Sequence, residues 1–306
     1  MFKLQTGYLI SGFITGCILL FTFLGTIPDG KLHVVFCDVG QGDGVYVQFP
    51  DGRSMTIDGG PNDTGMVACL GRHMPFWQRT ISLALLTHPQ KDHINGLLPV
   101  LARYRVDHIL RSNVGNTTEG FQTLQTMIKE RHINEKLVEA GEEITVGSVQ
   151  LRVVWPTKQQ LASMHTSTVS LGAVLGSSTT GDVNSASVVI KLSYGTFDAL
   201  FLGDADSQTD NALGKEIPYD PDGLEVLKVP HHGAKTGMTD AFLSQLSVIQ
   251  GRSIAAISVG KNSYGHPAPE MIQTLEQAGL HVLRTDTEGD IEIISDGKGW
   301  EVTREK

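Results

Sequence analysis

The sequence predicts a mixed α/β (α+β) chain: two sheets packed face to face with helices outside, a four-layer αββα sandwich, preceded by one N-terminal transmembrane or signal segment. Three observations predict it. Two runs of β-strands are each completed by alternating strand and helix. A nearly unbroken apolar stretch precedes them. Four of the strands end in Gly-containing turns that carry an Asp or a His.

Residues 7–27 are almost wholly apolar, and Lys3 is the only charge before them. A stretch of ~20 apolar residues can span a bilayer, and a positive charge ahead of it favours an N-terminus inside. No clear small-x-small cleavage site follows Leu24. Ile14-Thr15-Gly16-Cys17 resembles a lipobox, yet the apolar run continues past Cys17. The expectation is a membrane anchor or signal segment over residues 1–28 and one extracytoplasmic domain over residues 29–306.

The domain opens with strands over residues 31–38, 45–49 and 54–58. Gly40-Gln41-Gly42-Asp43-Gly44 forms the first turn and Pro50-Asp51-Gly52 the second. A helix over 65–74 leads to an apolar strand over 81–86. Then come a helix over 94–104, a strand over 108–111, a helix over 119–132, and strands over 143–146 and 149–154. Residues 156–184 are rich in Ser, Thr and Gly with little periodicity, and are expected to form a long surface insertion or lid. A hairpin over 187–202 follows, then strands over 224–229, 254–259, 281–283 and 291–294 alternating with helices.

The chain has 306 residues, 40% hydrophobic and 19% charged, which suits a globular domain with a sizeable core. Its formal net charge is −9 and no Lys/Arg run forms a basic stripe, so composition gives no support for a tight non-specific grip on nucleic acid. The cysteines are Cys17, Cys37 and Cys69, with no C-x-x-C. Cys37 and Cys69 are expected as free, buried thiols.

The chemistry sits at the strand ends. Thr87-His88-Pro89-Gln90-Lys91-Asp92-His93 packs two imidazoles and a carboxylate into six residues, donors that suit zinc or manganese. Asp58 in T-I-D-G-G, Asp204 in L-G-D, His231 and His232 in P-H-H-G, and His266 in Y-G-H-P complete the candidates. Alone, each Asp reads as a helix or turn cap and each His as a hydrogen-bonded surface residue. Together they lie where one divalent ion could gather them, and such an ion lowers the pKa of water toward ~7. Asp204 is the candidate to bridge a second ion.

The order T-I-D-G-G, T-H-P-Q-K-D-H, L-G-D, H-H-G resembles the metallo-β-lactamase superfamily. Within it, Asp38-Val39-Gly40-Gln41-Gly42-Asp43, Pro230 to Gly233, Asn262 to Pro267 and Arg284 to Gly289 resemble the extracytoplasmic hydrolase domain of the ComEC competence proteins and its stand-alone relatives. The resemblance spans about residues 32–295. It implies a metallo-β-lactamase-like sandwich, a site for one or two divalent ions, zinc or manganese, and hydrolase activity. By the same resemblance Asp92, His93, Asp204 and His231 would hold one ion, and His88 with Asp204 a second. Asp58, Gln90 and Asn184 would support the ligands, while Asp92, His232 and His266 would act on the substrate. The superfamily pattern has a metal-binding His or Asp where this chain has Gln90, and the family's N-D-x-S becomes Asn184-Ser185-Ala186-Ser187, so the second ion site is weakened.

The expected function is an extracytoplasmic metal-dependent phosphodiesterase or nuclease, acting on DNA or on a cell-envelope phosphodiester and held to the membrane by its N-terminal segment. The alternatives are hydrolysis of another ester, a lactam or a phosphocholine substrate, or a binding protein that has lost catalysis through Gln90. With one apolar segment the chain itself cannot form the DNA channel of the many-spanning competence proteins.

Overall fold

A computed structural model of the chain describes residues 6–24, 27–171, 174–180, 182–218 and 220–306. In chain order the elements begin with helix α1 (Thr6–Leu24) and strands β1 (Leu32–Phe36), β2 (Val45–Gln48) and β3 (Ser54–Ile57). Helix α2 (Gly65–His73), β4 (Thr80–Leu86), α3 (Lys91–Ile94), α4 (Leu97–Arg103), β5 (Arg105–Arg111), α5 (Glu119–Glu130) and β6 (Asn134–Leu137) follow. Next are β7 (Glu143–Val146), β8 (Val149–Trp155), α6 (Lys158–Ser163), β9 (His165–Leu171) and β10 (Val174–Thr180). Then come β11 (Val189–Tyr194), β12 (Phe197–Phe201), α7 (Asp210–Glu216), β13 (Val226–Lys228), α8 (Asp240–Leu243) and β14 (Ile254–Ile257). The chain closes with α9 (Pro269–Gln277), β15 (His281–Arg284), α10 (Thr285–Glu288), β16 (Ile291–Ser295) and β17 (Trp300–Arg304).

Two mixed sheets result. One has the order β17-β16-β1-β2-β3-β4-β5-β6 and the other β15-β14-β13-β12-β11-β8-β7. The period-2 alternation of the strands sorts their side chains into layers. In β1, Leu32, Val34 and Phe36 face the second sheet, and Phe36 meets Phe201 of β12 with ring centroids 6.0 Å apart. Val35 and Cys37 point the other way, into a cluster with Met66, Cys69 and Leu70 of α2, Leu97 and Leu101 of α4 and Phe121 of α5. Leu200, Leu227 and Val229 of the second sheet likewise meet Leu213 of α7, Phe242 of α8 and Leu275 of α9. Each such side chain contributes roughly 1.5–3 kcal/mol on burial. Three apolar interfaces separate four layers, and the expected αββα sandwich is the observed one.

Helix α1 exposes Tyr8, Leu9, Ile10, Phe13, Ile14, Ile18 and Leu19. Among the described residues no helix is long and apolar enough to cross a membrane.

One expectation requires correction. Cys37 and Cys69 are not free thiols: they form a disulfide, with Cα atoms 5.8 Å apart. The end of β1 and the buried face of α2 bring them together, a juxtaposition across 32 residues that sequence spacing cannot supply. Residues 156–184, expected as a surface insertion or lid, carry secondary structure of their own. They form α6 and an antiparallel hairpin, β9 with β10, in the register His165↔Thr180 to Leu171↔Val174. A two-stranded arm outside both sheets need show no buried-face alternation, so the usual strand signal is missing. The strands that sequence reading overlooked, β6 and β17, lie at the ends of their sheet; β6 (Asn-Glu-Lys-Leu) is exposed throughout.

Candidate metal centre and its cleft

The parallel strands set up the site. β3 pairs parallel with β4, and β12, β13 and β14 run parallel to one another, so their C-terminal ends open toward loops on one edge of the sandwich. Asp58 follows β3 directly and its backbone N–H donates to Leu85 O at 2.8 Å. His88, Asp92 and His93 follow β4, Asp204 follows β12, and His231 and His232 follow β13. The Gly40–Gly44 turn presses on the loop after β4: Asp43 N donates to Asp92 O at 3.3 Å, and a Cβ at Gly42 would stand 2.3 Å from that oxygen. Only glycine fits such a close approach.

Four side chains converge. The ligand atoms of Asp92, His93, Asp204 and His232 all lie within 4.8 Å of one another. Asp204 Oδ2 is 3.3 Å from His93 Nε2, 3.6 Å from His232 Nε2 and 3.9 Å from His88 Nε2, and Asp92 Oδ2 is 3.4 Å from His232 Nε2. His88, His93, Asp204 and His232 are buried; Asp92 is the partly exposed member, facing the cleft.

Behind the cluster stand the groups that orient it. Asp58 Oδ2 is 2.7 Å from His93 Nδ1, and the same carboxylate accepts from Thr87 N at 2.8 Å and from Thr87 Oγ1 at 2.7 Å. His232 Nδ1 donates to Ser258 O at 3.0 Å and lies 3.2 Å from Asp43 Oδ1. Each imidazole is thus tied at Nδ1 and turned so that Nε2 faces its neighbours, the arrangement that metal-binding histidines use.

The ligand set expected from the sequence is rearranged at one position: His232 stands in the cluster and His231 does not. His231 and His232 both have left-handed backbone, φ 50° and 52°. These two turns swing consecutive side chains apart. The His232 ring is anchored on Ser258, while the His231 ring lies 6.3 Å from it and 5.7 Å from the His266 ring. His231 and His266 therefore line the cleft. Among the described residues four non-glycine positions have positive φ, and three of them, Asp58, His231 and His232, belong to this site. Such strain collects where a function over-determines the backbone.

His88 stands beside the four-residue cluster. Where the superfamily pattern would supply further donors for an ion near His88, Gln90 Nε2 donates to Asn184 Oδ1 at 2.6 Å. One amide donates to the other, and neither brings charge. Sequence reading also missed two residues. Asp43 and Lys228 are 2% exposed and form an ion pair within the cluster's wall. The signal was available: Asp43 is the one charged residue of a five-residue Gly-rich turn, and Lys228 interrupts an apolar strand.

Electrostatics separate the imidazoles. Burial pushes the His88 pKa down to about 3, helped by the charge of nearby His93. Burial acts the same way on His232, but the Asp204 and Asp43 carboxylates outweigh it and raise the pKa to about 10. His93 is raised well above its ordinary value, because Asp204 and Asp58 likewise overcome its burial. Asp92 is lowered to about 2 against its partial burial, chiefly by the adjacent His232 imidazole. The pocket therefore favours positive charge at its centre.

The donors fit a divalent cation. The Nε2 atoms of His88, His93 and His232 and Oδ1 of Asp204 are buried and have no hydrogen-bond partner among the described residues. Buried polar atoms are rarely left unpaired. Two imidazole nitrogens and two carboxylates in one cluster match the ligand chemistry of zinc or manganese. A second grouping, Cys69, His73 and Asp290, does not fit, because Cys69 is in the disulfide.

The centre opens into a cleft of about 820 Å³ lined by Gln41, Lys91, Lys261, Tyr264, His231 and His266, among others. Asn262 fixes its outer wall by donating to Gly260 O and His266 O, at 2.8 and 2.7 Å, and accepting from Tyr264 N and His266 N, at 3.0 and 3.1 Å. Tyr264 is held 74% exposed, its ring 5.8 Å from that of His266.

No protein-family model matches the chain. It is 24% identical over 295 residues to ComE operon protein 3 of Bacillus subtilis, covering 91% of this chain and 34% of that protein. It is 24% identical over 260 residues to Recombination protein 2 of Haemophilus influenzae, covering 84% and 28%. The chain thus spans about a third of the length of these curated relatives. Among solved structures it is similar to the metallo-β-lactamase fold protein YhfI from Bacillus subtilis, with a TM-score of 0.50, 11% identity, and coverage of 86% and 99%. It is also similar to Zn(2+)-bound PqqB from Methylobacterium extorquens, with a TM-score of 0.50, 13% identity, and coverage of 82% and 97%. The chain has the metallo-β-lactamase fold, and its sequence resemblance to the competence proteins holds over nearly its whole length.

Proposed function

We propose that this chain is a metal-dependent hydrolase of phosphodiesters, with one divalent ion held by Asp92, His93, Asp204 and His232. The convergence of these four side chains at the floor of an open cleft carries the reading. A bound zinc or manganese ion would supply Lewis acidity and hydroxide near neutral pH. The chain's own residues do the rest. Asp58 and Ser258 fix the two imidazoles, and partly exposed Asp92 stands where it can accept a proton from the attacking water. Lys91 and Lys261 place positive charge at the cleft in a chain whose net charge is −9, which suits a phosphate oxyanion. His231 and His266 face the same space and can contact the phosphate or protonate the leaving oxygen.

The resemblance to ComE operon protein 3 and Recombination protein 2 supports DNA as the substrate, and a cell-envelope phosphodiester is the other candidate of the same chemistry. The Cys37–Cys69 disulfide supports an extracytoplasmic site of action, since such bonds persist in oxidising compartments. The apolar character of residues 7–27 in the sequence is the support for reading residues 1–28 as a membrane anchor or signal segment.

A second reading, a binding protein without catalysis, draws on the Gln90–Asn184 amide pair. One experiment separates the two: elemental analysis of the purified chain, with hydrolysis of bis-p-nitrophenyl phosphate in added manganese or zinc. Bound metal with turnover supports the hydrolase. Absence of both overturns it.

A further inference from the structure

Among the largest fully buried side chains of the described residues, Lys228 is the one that carries a charge. It occupies the last position of β13, a central strand, and its side chain is 2% exposed. Its Nζ forms an ion pair with Asp43 Oδ2, donates to Gly203 O at 2.9 Å and stands 3.9 Å from Asp204 Oδ1. Asp204 therefore has a different cation on each side: imidazoles at Oδ2, an ammonium toward Oδ1. Asp43 in turn divides its oxygens between Lys228 and His232 Nδ1. Apolar residues usually replace a buried ion pair at little or no cost in stability. A pair placed in the wall of a charged centre has an electrostatic consequence that packing does not.

Resting on the single-ion centre proposed above, we infer that Asp43 and Lys228 form a charge-setting pair that tunes how tightly that centre holds its ion. Lys228 is a fixed positive charge that opposes a divalent cation at Asp204. Asp43 is a positioning residue that draws the ammonium away from Asp204, leaving that carboxylate to the ion. Removing Asp43 leaves Lys228 with Asp204 as its nearest carboxylate, in direct competition with the ion. Removing Lys228 takes away the competitor. At separations of a few ångström within a protein, one unit charge changes the affinity of a divalent ion by about tenfold or more.

The test is the manganese dissociation constant of the full chain, read from the free-ion signal in electron paramagnetic resonance, with zinc measured against a chromophoric chelator. Asp43→Asn should weaken binding about tenfold or more, Lys228→Met should tighten it, and the double variant should bind more tightly than Asp43→Asn alone. A pair that only supports the fold predicts weakening in both single variants and further weakening in the double. That result, or no change in any variant, overturns the inference. If Lys228→Met does not fold, Asp43→Asn against the double variant decides by the same sign. Wild-type protein that binds neither ion overturns the metal centre itself, whereas wild type that binds with same-sign variants overturns only the charge-setting role.

Discussion

Asp58 and His93 are joined at zero exposure, with Asp58 Oδ2 2.7 Å from His93 Nδ1. The carboxylate also takes two hydrogen bonds from Thr87, so it is fixed before it fixes the imidazole. Burial raises the Asp58 pKa, and the charge of His93 works against that rise. Asp58 links the first sheet's backbone to the cluster of Asp92, His93, Asp204 and His232 by holding the His93 ring from behind.

Asp58→Asn should keep the fold and lower metal affinity about 10–100-fold, as removal of a partner behind a metal-binding His does. Calorimetric titration with zinc or manganese, alongside circular dichroism, measures both. Unchanged affinity would make Asp58 a structural cap only.

The two neighbouring histidines should behave differently. His232→Ala removes a cluster member and should abolish stoichiometric metal binding. His231→Ala should leave metal content intact and lower turnover of bis-p-nitrophenyl phosphate by about 10²-fold, the lower end of the range for loss of a proton-transfer group. Elemental analysis of the two variants distinguishes them, and the reverse pattern would restore His231 as the ligand.

The Gln90–Asn184 pair leads us to expect one ion per chain. Replacing both amides, Gln90→His with Asn184→His, should raise the count toward two, because the new imidazoles join His88 and Asp204 in offering donors. A wild-type chain with two tightly held ions would show that the amides do not exclude the second.

The disulfide should matter to stability. Cys69→Ser is expected to cost about 2–4 kcal/mol in urea unfolding, by relaxing the constraint on the unfolded chain. The same loss should appear when wild type is unfolded in reductant. A variant as stable as wild type would mean that α2 is held to β1 by packing alone.

His33 gives a pH-dependent contribution far from the centre. Its Nδ1 is 2.8 Å from Glu292 of β16, and its Nε2 is 3.0 Å from Asp29. Burial lowers its pKa, but these two carboxylates outweigh that and raise it. A raised folded-state pKa stabilises fully below the unfolded value near 6.5 and fades as pH rises through the folded value. His33→Gln should therefore cost about 0.5–1 kcal/mol at pH ~5.5 and much less at pH ~9. An equal cost at both pH values would mean that the ring contributes by packing, not charge.

The sequence by itself determined the two-sheet sandwich, because the alternation in Leu32–Phe36 and the apolar run Thr80–Leu86 each dictate which faces must be buried. It also singled out Asp92, His93 and Asp204, three of the four residues that converge in the cluster, because each stands next to a recognisable strand end or turn. Tertiary structure alone decided which of two adjacent histidines enters the cluster, since the choice rests on two left-handed backbone turns and on Ser258, 26 residues away. It alone joined Cys37 to Cys69, paired Gln90 with Asn184 across 94 positions, and set Lys228 against Asp43. Periodicity reports which face of an element is buried. Which polar groups meet once those faces are buried depends on how separate elements pack, and no local pattern encodes that distance.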